Sequence, residues 1–167
     1  MKKFRIALSI ILLLTLLAGC SPFRHTGSKV TFYYSRDNFA FEGEDSVIVS
    51  EQRDITGHEG EMFYILSLYL MGPLDESLTV RFPTGTRLVR YSVLNGIPNV
   101  ELTSVDSSLS DAEFTLATSC LSMTCMELTG YNQITVVSGN RTLTLQKSDL
   151  LLSDTQNSLP QETEESK

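Results

Sequence analysis

Nucleophiles and bases are scarce in this sequence, so each can be weighed by its own surroundings. Histidine occurs only at His25 and His58. A catalytic thiol or hydroxyl needs a base within hydrogen-bond reach, and neither Cys120 nor Cys125 has a histidine near it in the chain. Both thiols fall on one predicted helix, five residues apart. At 3.6 residues per turn their directions differ by about 140°, whereas a disulfide needs converging Cβ atoms; two small buried thiols are expected. The serines, Ser67 and Ser92 among them, lack the Gly-x-Ser-x-Gly elbow of hydrolases, and no Gly-rich phosphate loop is present. His58, Glu59 and Glu61 come nearest to a metal-ligand set, but they project in different directions at the start of a helix. Asp75 and Glu76 follow Gly72-Pro73 and read as turn residues. The expectation is a non-enzyme with no catalytic residue, metal site or cofactor.

One cysteine has a different setting. Lys2, Lys3 and Arg5 precede an uncharged, almost wholly apolar run over residues 7–19. A charged start and a short apolar core make a signal peptide, and the run is shorter than the roughly 20 residues a membrane span needs. It ends Leu17-Ala18-Gly19-Cys20. Small residues directly before a cysteine resemble the bacterial lipobox, which implies cleavage after Gly19, a diacylglyceryl group on the Cys20 sulfur, and a freed amine open to a third acyl chain such as palmitate. One acyl chain holds a protein to a bilayer only marginally and two hold it durably. Residues 1–19 are thus expected to be removed, leaving 20–28 as a lipidated tether at the extracytoplasmic face of the cell membrane.

Loss of those 19 residues removes three basic groups from a chain of formal charge −7, leaving −10. Such a balance excludes nucleic acid, which demands a basic footprint, and a polybasic attachment to anionic lipid. Arg81, Arg87 and Arg90 form the one local basic cluster in sequence and are the candidate docking patch for an acidic partner. The default reading of those arginines is solvated surface.

The elements that would carry these groups follow from periodicity. Val30, Phe32 and Tyr34 alternate along a strand over 29–35, and Val47 and Val49 along a second over 46–53. Phe39 and Phe41 are expected to cover a core edge from the connection. Thr56-x-x-Glu59 has the form of a capping box, opening a helix whose Met62, Ile65, Leu66 and Tyr69 share a face. Gly72-Pro73 stops it. Asn95-Gly96 marks a hairpin between strands 86–94 and 97–103, with Val89, Tyr91 and Val93 on one face, facing Val100 and Leu102. Ser110-x-x-Glu113 opens a second helix with Phe114, Ala117, Leu121, Cys125 and Leu128 inward. Gly139-Asn140 joins strands 131–138 and 141–146. The order β-β-α-β-β-α-β-β predicts an α+β class, a small sheet with two helices packed on one face. Residues 147–167 form an acidic tail, expected to be disordered because it has too little apolar surface to offset its ordering entropy.

Several segments in this order resemble the GerMN domain family of sporulation and spore-germination proteins. They are Val30-Thr31-Phe32-Tyr33-Tyr34, Arg53 in the second strand, Tyr69-Leu70-Met71-Gly72-Pro73 at the helix end, Phe82-Pro83-Thr84-Gly85-Thr86-Arg87-Leu88, and Asn99-Val100-Glu101-Leu102-Thr103. The likeness spans residues 29–146. It implies a non-catalytic envelope module, part of it similar to ring-building modules that pack against copies of themselves or against partner proteins. The family's founding protein carries two such domains in tandem, and this chain has room for one. The expected function is a lipid-anchored interaction module of the cell envelope, with a sporulation or germination role implied only by the resemblance. The alternative is a lipoprotein that binds a glycan or peptide of the envelope.

Overall fold

The computed structural model describes residues 28–37, 46–105 and 109–150. Cys20, the expected signal peptide, the expected tether as far as residue 27, Phe39, Phe41 and the expected tail from residue 151 lie outside them.

The class is α+β, and the strands divide between two sheets rather than one. In the first sheet β1 (Lys29–Arg36) lies between β2 (Ile48–Asp54) and a two-residue β3 (Leu78–Thr79), antiparallel to both. The second has the order β4 (Leu88–Leu94), β5 (Ile97–Leu102), β6 (Gln133–Ser138), β7 (Arg141–Gln146). Its β4–β5 and β6–β7 pairs are antiparallel hairpins, while β5 and β6 run parallel. A parallel pair requires a crossover, and helix α2 (Asp111–Thr129) supplies it. Helix α1 (Met62–Leu70) packs on β4, and α2 packs on both β1 and β6. The helix α2 therefore joins the two sheets, and the core lies along it.

The aromatic strand behaves as its alternation predicts. Phe32 and Tyr34 are fully buried. Tyr34 stacks on Tyr69 of α1 with ring centroids 4.9 Å apart, and its hydroxyl donates to the Tyr69 carbonyl at 3.2 Å. Phe32 meets Tyr69 edge-on at 5.7 Å. Ile65, Leu66 and Tyr69 are the buried face of α1.

The two capping boxes part company. Ser110 caps α2 as expected: its hydroxyl accepts the Glu113 N–H at 3.3 Å, and the Glu113 carboxylate accepts the Ser110 N–H at 2.9 Å. Around Thr56 a different donor–acceptor set wins. The Asp54 carboxylate accepts both the N–H and the hydroxyl of Thr56, at 2.8 and 2.6 Å, and Glu59 accepts the N–H of Gly57. Residues 55–60 are consequently turns, and α1 starts later, at Met62, without a side-chain cap.

The Asn95-Gly96 turn has both central φ values positive, 51° and 80°, as a two-residue type I′ hairpin requires. At the far end of the same hairpin a bulge falls between Leu88 and Arg90. An extra residue in one strand reverses the alternation beyond it, so Leu88 is buried and Val89 is 51% exposed. Val93 is also exposed, leaving Tyr91 to meet Val100 across the pair. At the C-terminal end, Lys147–Leu150 forms a helical turn, α3, inside the segment expected to be tail, and Leu150 packs against the core.

Leu121 sits at the centre of the buried face of α2, with no exposed surface, among Phe114, Ala117 and Cys125. Leu121→Ala is expected to destabilise the domain by about 2–5 kcal/mol, from lost burial plus the cavity left behind. Urea unfolding followed by circular dichroism measures it. A loss below about 0.5 kcal/mol, the level of an exposed position, would contradict this packing.

Candidate functional site

The three arginines of the expected patch meet different fates. Arg81 is half-buried and held by the end of β1: its Nε donates to Ser35 Oγ at 2.6 Å, and one guanidinium nitrogen donates to the carbonyls of Arg36 and Asp37. It closes the irregular end of the first sheet, which is a structural task. Arg90 is exposed and pairs with Glu101 on the neighbouring strand at 2.7 Å. Arg87 is exposed, and no ion pair among the described residues involves it. The geometry thus leaves Arg87 as the candidate recognition residue.

Arg87 stands where two open clefts meet. The first, of about 400 Å³, is lined by Pro83, Thr84, Gly85, Thr86, Arg87, Thr103, Ser104 and Val105. Hydroxyls dominate it. Two are engaged locally: Thr86 Oγ1 donates to the Pro83 carbonyl at 2.8 Å, and Thr103 Oγ1 accepts the Arg87 N–H at 3.0 Å. The second, of about 330 Å³, lies between α1 and the start of β4 and is lined by Phe63, Ser67, Leu70, Met71, Thr86, Arg87 and Leu88. Its helical wall follows from spacing, since residues 63, 67 and 70 recur at four and three positions along one helix face. Phe63 is 57% exposed and Met71 83% exposed. Leu74, Val89, Val93 and Leu94 are also exposed, and β4 lies at one edge of its sheet.

A buried ion pair supports this end of the domain. Arg53 and Glu51 point to the same face of β2, being two residues apart in a strand. Their side chains meet at 2.9 Å with little exposure of either. Arg53 also donates to the Gly72 carbonyl at 3.3–3.4 Å and lies over the Phe32 ring. The second Glu51 oxygen accepts the N–H groups of Leu74 and Asp75, at 2.8 and 2.9 Å. The pair therefore clamps the loop that follows α1, where Gly72 takes a φ of 102° that favours glycine. Arg53 enters the sequence reading only through the family resemblance. The i, i+2 spacing of opposite charges on a strand was the available signal for Glu51.

The remaining candidates have local roles. His58 Nδ1 lies 3.2 Å from a Glu61 oxygen and the ring stacks on Tyr64 at 3.7 Å, while Glu59 turns back to Gly57. Among the described residues no group of three potential ligands is arranged to hold a metal ion. Asp75 accepts from the amide and hydroxyl of Ser77, which lowers its pKa. Cys120 and Cys125 are buried and unbridged, and burial pushes both thiols up to about 12. A thiol held protonated is a poor nucleophile. No described helix is long and apolar enough to cross a membrane.

No protein-family model matches the chain, and no curated protein matches it either. Among solved structures it is similar to the 2.5 Å crystal structure of a protein from Clostridium perfringens provisionally classed as a lipoprotein. The TM-score is 0.44 and the identity 16%, over 74% of this chain and 89% of that one. It is also similar to the tandem GerMN domains of the sporulation protein GerM from Bacillus subtilis. There the TM-score is 0.48 and the identity 15%, over 74% of this chain and 43% of that one.

Proposed function

We propose that this chain is a membrane-anchored, extracytoplasmic lipoprotein whose single α+β domain is a non-catalytic interaction module of the cell envelope. The observation that carries the reading is the open groove between α1 and the start of β4, whose apolar lining of Phe63, Leu70, Met71 and Leu88 includes the strongly exposed Phe63 and Met71. Isolated exposed apolar residues are ordinary, whereas grouped ones mark association surfaces. The expected leader over residues 1–19, directly before Cys20, and the segments that resemble GerMN domains in their order support an envelope setting. A sporulation or germination role rests on that resemblance alone. Binding of an envelope glycan or peptide is the second reading, favoured by the hydroxyl-lined cleft beside Arg87.

The test is photo-crosslinking in the native membrane, with benzoylphenylalanine replacing Met71 in one variant and the exposed Thr142 of β7 in another. A protein adduct from position 71 and none from position 142 is expected. Absence of any adduct from position 71 would count against an interaction module. Hydrolysis of an envelope polymer by the purified protein, abolished by His58→Ala, would overturn the non-catalytic reading.

A further inference from the structure

The two clefts differ in chemistry but share Thr86 and Arg87. The groove against α1 is apolar, with Phe63, Leu70 and Met71 on its wall; the adjoining cleft carries the hydroxyls of Thr84 and Thr103. Among the described residues Arg87 is the one charged residue lining either, and it stands where the two meet. The chain around it is acidic, with a formal charge of −7 before any processing.

From this juxtaposition we infer that the double cleft takes an extended segment of a partner protein in which a bulky apolar side chain lies next to a carboxylate. The inference rests on the interaction-module reading and names the partner chemistry of that surface. The apolar side chain enters the groove beside Phe63 and Met71, where burial supplies the favourable term. The carboxylate meets Arg87, whose planar guanidinium can bind both of its oxygens. The partner backbone then runs over the hydroxyl-lined cleft, where Thr84 and Thr103 offer hydrogen bonds to peptide groups. A basic segment would place like charge against Arg87, and a purely apolar one would leave the guanidinium desolvated and unpaired. Charge at such a site acts mainly on specificity and association rate, which suits a surface that must choose one partner in a crowded envelope.

Fluorescence anisotropy on the full chain in detergent micelles tests this, with a labelled peptide Gly-Ser-Leu-Asp-Phe-Glu-Ser-Gly as probe. A second peptide replaces both acidic residues by lysine, and a third replaces both apolar residues by serine. The acidic apolar peptide is expected to bind best, and added salt to weaken it. Arg87→Glu should weaken it by about tenfold or more and should restore binding of the lysine peptide. Met71→Asp should weaken the acidic peptide too, whereas Lys147→Glu, an equal charge reversal elsewhere on the surface, should not. Equal binding of the acidic and lysine peptides, or an Arg87→Glu variant that binds as wild type does, would overturn the assignment. Crosslinking from position 71 separates its failure from that of the broader reading. If an envelope protein is still captured with Arg87→Glu in place, the module interacts but not through this chemistry. If the adduct is a second copy of the chain, the surface is a self-association face and the proposed partner segment is wrong. If nothing is captured, both readings fail.

Discussion

Arg53→Ala is expected to destabilise the domain by about 3 kcal/mol, the lower end of the cost of breaking a buried ion pair. The guanidinium is only 8% exposed and does three things at once. It neutralises Glu51, donates to the Gly72 carbonyl, and covers the Phe32 ring. Its removal leaves a carboxylate that is itself only 12% exposed without a cation. The amides of Leu74 and Asp75 still donate to Glu51, which is why the lower figure is the appropriate one. The paired change Glu51→Gln/Arg53→Met separates charge from packing. Removing both charges eliminates the uncompensated carboxylate, so the double variant should be more stable than Arg53→Ala alone. Denaturant unfolding of the three proteins decides it. A cost below about 1 kcal/mol for Arg53→Ala would mean that water reaches the pair and that the clamp contributes no more than a surface contact. Because the clamp holds the loop after α1, Arg53→Ala should also disturb the position of Met71 and Leu74, and with them the groove.

What the sequence made legible was local. Asn95-Gly96 and Ser110-x-x-Glu113 each involve residues within a few positions of one another, and both adopt the geometry their types require. Thr56-x-x-Glu59 has the same form as the second of these and fails, because Asp54 lies two residues before Thr56 and takes its hydroxyl and its amide. A cap motif states which bonds are possible, and the nearest competing acceptor decides which form. The bulge at Val89 was invisible to alternation, since one extra residue shifts which side chains face inward without altering their types. The partition into two sheets is a question of pairing across the chain. β1 takes β2 and β3 as partners, and α2 carries β6 back to lie parallel to β5. Periodicity identifies strands but not their neighbours.

The candidate patch was legible only as composition. Arg81, Arg87 and Arg90 read alike in the sequence, and residues distant along the chain distinguish them. Ser35 and Arg36 of β1 hold Arg81, and Glu101 of β5 holds Arg90. Arg87 is set apart by the groove beside it, which depends on how α1 lies against β4. The apolar wall could have been suspected from Phe63 and Met71, which lie off the buried stripe of α1 in a segment rich in apolar residues. An apolar residue off the core face of a short helix is a weak but usable signal of a surface with a partner.

Cys20→Ala is expected to abolish fatty-acid labelling and to move the protein from the membrane fraction to the soluble one, while leaving the stability of the domain unchanged. The anchoring energy and the folding energy belong to different parts of the chain. In the proposed attachment, anchoring rests on acyl chains, at about 0.8 kcal/mol for each buried methylene, and two chains together hold where one does not. Alanine offers no sulfur for the diacylglyceryl group. The apolar run over residues 7–19 is shorter than the roughly 20 residues that cross a bilayer comfortably, so it is a poor substitute for the lipid. Folding rests on the core around α2 and the aromatic group of Phe32, Tyr34 and Tyr69. Among the described residues, the first tied to that structure is Ser28, whose carbonyl accepts the Ile55 N–H at 2.9 Å and whose own N–H donates to Thr56 Oγ1 at 3.2 Å. Cys20 lies eight residues before Ser28, and the core assembled by the described residues is complete without a contribution from the anchor in the proposed arrangement. Growth with labelled palmitate, followed by alkaline washing of membranes and thermal unfolding of the released protein, measures all three quantities. An alanine variant that stayed on washed membranes as firmly as the wild type would show that the attachment is not through Cys20. A variant that was released but unfolded would show that the domain depends on its anchor for stability as well as for location.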